Sequence, residues 1–139
     1  MDHMVEGALD AVLCRAERLA AAACADLPAL LLCDEEVVEL GAGGAVAWAP
    51  VVRDAVAIRD PAACVLVCPG LRRPPTQGSA VPAPIVVLLA HDRGGRVRSR
   101  WAEVRSGGMG SWADVPWASG PLAACVRAGY EAAAWMRPT

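Results

Sequence analysis

Five prolines and two glycines fall within residues 69–84, PGLRRPPTQGSAVPAP. Proline holds φ near about −65° and has no N–H to donate, so this stretch belongs to neither a helix interior nor a central strand. It reads as a long loop of polyproline character, either an excursion between two halves of a sheet or a flexible arm, with little to bury.

The flanking segments have different periods. From Val5 to Ala25 the larger apolar residues recur as Val5, Leu9, Val12, Leu13, Ala16, Leu19 and Ala23, one face of a helix that Pro28 brings to an end. Then come short runs rich in valine and leucine, ALLLC, VVEL, AVAWAPVV, DAVAI and ACVLVC, separated by DEE, GAGG, RD and RDP, which read as strands and tight turns. Beyond the proline stretch, PIVVLLAHDRGGRVRSRWAEV reads as two strands joined at DRGG. The last segment reads as a second helix, capped by Ser119 or Gly120, opened by Pro121 and ended by Pro138, with an apolar stripe of Leu122, Cys125, Val126, Gly129, Ala133 and Met136. Gly129 in mid-helix marks a close approach to another element.

The expected fold is therefore α+β and a single domain over 1–139: a helix, six or seven mostly antiparallel strands and a helix, stacked as a two-layer sandwich with one sheet face open to solvent or a partner. In outline it is similar to profilin-like folds, roadblock-like folds and type III secretion chaperones, a likeness that carries little about function.

Composition narrows the class. At 55% hydrophobic the chain is not disordered, and no uncharged apolar run reaches the roughly 20 residues of a membrane span. Acids and arginines interrupt the first segment, so no secretory leader is read, and an intracellular address without membrane contact follows. Lysine, phenylalanine and asparagine are absent, the mark of a GC-rich genome, bacterial or viral. The net charge of −2 argues against nucleic acid as a partner. Six cysteines without a C-x-x-C pair read as small core residues kept reduced in the cytosol; no metal or cofactor is expected.

DPAACVLVCPGL followed by AHDRGGRV resembles the dUTPase family, in which a proline-led strand ends in Pro-Arg-Ser-Gly and a later strand carries an aspartate before Tyr-Arg-Gly. The resemblance implies a degenerate relative centred on Asp92: Pro69-Gly70-Leu71 lacks the Arg-Ser pair, Asp92 is followed by Arg93-Gly94-Gly95 without tyrosine, and no glycine-rich tail precedes Thr139.

Among reactive groups, His91 with Asp92 and a cysteine forms the candidate catalytic set, set against a plain solvent-facing turn histidine. Asp34, Glu35 and Glu36 read as a polar turn. GAGG reads as a hairpin turn rather than a phosphate cradle, because a strand is expected after it. Arg96, Arg98 and Arg100 alternate along one strand and form a basic ladder, fitted either to an anion or to protecting a sheet edge. Trp112 and Trp117, with Met109, sit among glycines in residues 106–120 and read as core lids or as binding anchors. The expected function is a non-enzymatic protein-interaction module, an adaptor, chaperone-like or viral accessory protein. Its partner surface is placed at Met109, Trp112, Trp117 and the arginine ladder, and a homodimer is suggested by the apolar content and the open sheet face. A small or degenerate enzyme around Asp92 and an anion-binding protein are the alternatives.

Overall fold

Leu9, Val12, Leu13, Ala16 and Ala20 are all buried and follow the i, i+3, i+4 rhythm, which is why the first segment forms one long helix, α1 (Asp2–Ala23). A computed structural model describes residues 2–23, 27–72, 83–105, 108–115 and 121–137. Cys24, Trp117, Ser119, Gly120, Pro138 and residues 73–82 of the proline stretch lie outside them.

After α1 the described elements are β1 (Leu30–Cys33), β2 (Glu36–Glu39), α2 (Gly44–Arg59), β3 (Ala63–Arg72), β4 (Ala83–Asp92), β5 (Val97–Arg105), β6 (Gly108–Met109), β7 (Ala113–Val115) and α3 (Pro121–Met136). Among the described residues the sheet has seven strands in the order β2-β1-β3-β4-β5-β6, with β7 also on β5, and every pairing is antiparallel. The α+β class, the terminal helices and the antiparallel sheet agree with the sequence reading.

The stacking differs from it. Leu30, Leu32, Ala63, Val65, Val67, Val86, Leu88 and Ala90 face α1, while the alternate residues Leu31, Cys33, Cys64 and Leu66 pack against Val52, Ala55 and Val56 of α2 and Val126 of α3. Both faces are thus covered, and the single helical layer with an open sheet face is replaced by one layer on each side.

The cause is α2, which the sequence reading divided into the strands AVAWAPVV and DAVAI. Its valines suggest β structure and Pro50 argues against a helix, yet Val52, Ala55 and Val56 form one buried helical stripe. Packing against α3 decides the conformation, and Gly129 is the reason the helices fit: a Cβ there would stand 2.7 Å from both the Arg53 carbonyl oxygen and the Val56 Cβ. The close approach expected at Gly129 is real, and its partner is this unforeseen helix. GAGG therefore leads into a helix, not a strand. Gly43 (φ 118°) and Gly44 (φ 76°) make the left-handed turn into it, and Trp48 Nε1 donates to the Gly41 carbonyl at 2.9 Å.

The proline stretch is also shorter than expected, since β3 runs to Arg72 and β4 starts at Ala83. Pro69 lies beyond Val67, the last β3 residue paired to β1, and Pro84 lies before Ile85, where β4 begins to pair with β5. Each proline sits where its strand has one neighbour only, the place at which a missing N–H is tolerated. Residues 106–120 likewise include two short strands, β6 and β7, on β5.

Candidate functional site

Of the arginine ladder only Arg98 and Arg100 lie in β5, on the α1 face; Arg96 precedes the strand, in the β4–β5 turn. Arg98 pairs with Asp10 of α1 at 2.7 Å and with Asp114 of β7 at 3.5 Å, while Arg100 pairs with Glu17 of α1 and, at 3.2 Å, with Asp114. Arg96 is exposed and has a partner of its own. The ladder is largely neutralised by carboxylates of α1 and β7. Met109 and Trp112 are half-buried and packed against the α1-side core with Val104, the position of a lid; Trp117 lies outside the described residues.

His91 is not the solvent-facing turn histidine of the plain reading. It is 4% exposed, stands opposite Cys64 on β3, and neither ring nitrogen has a hydrogen-bond partner. Burial, reinforced by the Arg127 guanidinium, pushes it down to about 4, so the imidazole is neutral at neutral pH. Asp92 follows in the strand and so points to the other face, where its Oδ1 accepts the Arg96 backbone N–H at 2.8 Å. Asp92 makes no hydrogen bond to the His91 ring. The thiol opposite His91, Cys64, is pushed up to about 12 by burial and accepts a hydrogen bond from the Tyr130 hydroxyl at 3.7 Å.

His91 forms part of the wall of a cavity of about 340 Å³ between the β4–β5 turn and α3, together with Gly94, Val97, Arg127, Tyr130 and Glu131. Its frame is a latch at Asp60, the left-handed C-cap of α2 (φ 42°). Arg137, just past α3, grips the Asp60 carboxylate with two bonds of 2.7 and 2.6 Å, and Arg93 of the turn adds a contact at 3.3 Å. The Arg137 and Arg93 guanidiniums hold the Asp60 carboxyl below the usual carboxylate range. Three elements thus meet at one residue that sequence reasoning passed over. RDP reads as an ordinary turn, and only the fold brings residues 93 and 137 to it.

A second depression, lined by Glu131, Ala134, Trp135 and Arg137, shares Glu131 and Ala134 with this cavity and extends it along α3. Trp135 stands at its rim, 90% exposed, with Met136 beside it and Ile58 of α2 77% exposed in the same layer. Trp135 was within sight in the sequence as one of the tryptophans of residues 101–139, but Met136, placed on the buried stripe, is exposed instead. The stripe holds for Val126, Gly129 and Ala133, with Ala123 in addition.

Among the described residues no group of three or more His, Cys, Asp or Glu is arranged to hold a metal, and no helix is long and apolar enough to cross a membrane. Compared with family models, curated proteins and solved structures, the chain matches none.

Proposed function

We propose that the chain is a non-catalytic protein-interaction module, adaptor or chaperone-like in kind, whose contact surface is the outer side of the α2/α3 layer. One observation carries this reading: Trp135, the side-chain type most enriched at binding hot spots, projects at 90% exposure beside two confluent depressions on the same helix. The surface moves from the sheet face, which helices cover, and from Trp112, which packs against the core. No cysteine lines the cavity and neither His91 ring nitrogen is hydrogen-bonded to a carboxylate there, which supports binding over catalysis.

The first occupant is a second copy of the chain. Anchor and cavity lie on one helix, so a two-fold axis across α3 lets each Trp135 enter the other copy's depression, the self-complementary arrangement of a cyclic dimer. Sedimentation velocity tests it. Wild type is expected to sediment as a dimer at micromolar concentration and Trp135→Ala as a folded monomer whose melting temperature no longer depends on concentration. A wild type that stays monomeric removes self-association, and a dimer that survives Trp135→Ala removes this surface.

A further inference from the structure

The register places Cys33 and Cys64 directly opposite each other on β1 and β3, both buried, both free and both on the α2/α3 face. Their pairing type follows from a neighbouring bond. Asp34 N donates to the Ala63 carbonyl at 3.0 Å, which makes 34 and 63 the hydrogen-bonded pair and 33 and 64 the non-hydrogen-bonded one. In such a pair the Cα atoms stand about 4.5 Å apart and the side chains lean together. A disulfide spans Cα separations of roughly 4.4–6.8 Å, so this site admits the bond at the short, strained and easily reduced end of the range. Asp34 holds the register: its Oδ1 and Oδ2 accept the backbone N–H groups of Ala63 at 3.1 Å and Ala62 at 3.0 Å.

We infer that Cys33 and Cys64 are an oxidative modification site, a thiol pair that hydroperoxides convert reversibly into a cross-strand disulfide. Access is from the Cys33 side. Cys33 lines a cavity of about 360 Å³ with Asp34, Arg59 and Pro61, and Arg59 is the cation that favours its thiolate. Burial, joined by the Asp34 and Glu36 carboxylates, outweighs that effect and pushes Cys33 up to about 11, so the reaction is slow at neutral pH and quickens as pH rises.

In the first step the Cys33 sulfur attacks the peroxide, the O–O bond breaks, and with hydrogen peroxide the products are a sulfenic acid and one water. In the second the Cys64 sulfur attacks the sulfenic sulfur, the S–O bond breaks, and a second water leaves with the remaining thiol proton. Two thiols lose two electrons and the peroxide gains them. The bond turns the Cys64 sulfur toward Cys33 and takes from Tyr130 its hydroxyl's acceptor, so the change reaches α3 through the chain's single tyrosine.

The test treats the full chain with hydrogen peroxide, blocks remaining thiols by alkylation and maps the protein under non-reducing conditions by mass spectrometry, with fragmentation to place the link. The expected product joins Cys33 to Cys64, lacks the mass of two hydrogens and reverts with dithiothreitol. Its rate rises about tenfold per pH unit above neutrality. Cys33→Ser is expected to abolish the link and leave Cys64 as a thiol, while the ultraviolet absorption of Tyr130 shifts in oxidised wild type but not in Cys33→Ser. Recovery of Cys33 and Cys64 as separately alkylated peptides, a link from either to another cysteine, or direct passage of Cys33 to sulfinic acid overturns the inference.

Discussion

The two faces of the sheet are built to different rules. Against α1 the core is aliphatic and continuous, from Leu9, Leu13 and Ala16 of the helix to Leu32, Val65, Val67 and Leu88 of the strands, and Arg98 and Arg100 of β5 meet carboxylates of α1 and β7 at its margin. Against α2 and α3 the buried layer includes Cys33, Cys64, Cys68, His91, Ser99 and Tyr130, and cavities open at its margin. The core against α1 is almost wholly aliphatic, while the layer against α2 and α3 sets thiols, an imidazole and a phenol among its apolar side chains.

The contrast is broken most directly by Leu88→Ala. Leu88 is fully buried at the centre of the α1 face, and its truncation is expected to cost about 2–5 kcal/mol in urea unfolding, whereas Cys68→Ala, at a partly buried position of the other face, is expected to cost about 1 kcal/mol or less. Equal losses would mean that both faces are packed alike.

A slightly smaller effect separates the faces by pH. The folded state holds His91 near 4 against an ordinary value of 6.5, so between these values the unfolded chain binds the extra proton. Stability from this group is whole above pH 6.5, falls as pH drops and levels below about 4, a loss of up to about 3 kcal/mol. His91→Leu is expected to remove that slope in thermal unfolding measured from pH 7 to 4. A wild type and variant with parallel profiles would place the imidazole in contact with water.

Gly129→Ala probes the contact between α2 and α3. Added helix propensity favours the variant by about 1 kcal/mol, but the new methyl must displace the Arg53 carbonyl and Val56, and a net loss of about 1–3 kcal/mol is expected from calorimetry. A stabilised variant would show that α2 slides freely on α3. The smallest change is expected at Arg98→Gln, whose pairs with Asp10 and Asp114 are exposed; the shift should stay within about 0.5 kcal/mol, and a larger one would make the β5 ladder a structural network.

Local patterns made α1, α3, the β4–β5 hairpin and the strands β1, β2 and β3 legible, because each has one period and a clear boundary residue. The α2 segment was not legible: VV and AVAI satisfy a strand as readily as a helix over short windows, and Pro50 tips a local reading the wrong way. Of the candidate site residues, Arg98, Arg100, Met109 and Trp112 are identifiable in the sequence but not their partners. His91 reads as a turn residue, since two glycines follow it closely, and only the covering by α3 buries it.

The order of amino acids by itself determined the α+β class, the two terminal helices, the antiparallel strands and the need for space at Gly129, all of which rest on side-chain period, proline and glycine, properties local to a few residues. Only the tertiary structure decided that α2 is a helix, that both sheet faces are covered, that Asp60 meets Arg93 and Arg137, and that Cys33 faces Cys64 with Trp135 left outside. Those outcomes depend on register and on which surfaces meet across distant parts of the chain, where burial energy summed over many contacts outweighs the weak preference of any one segment.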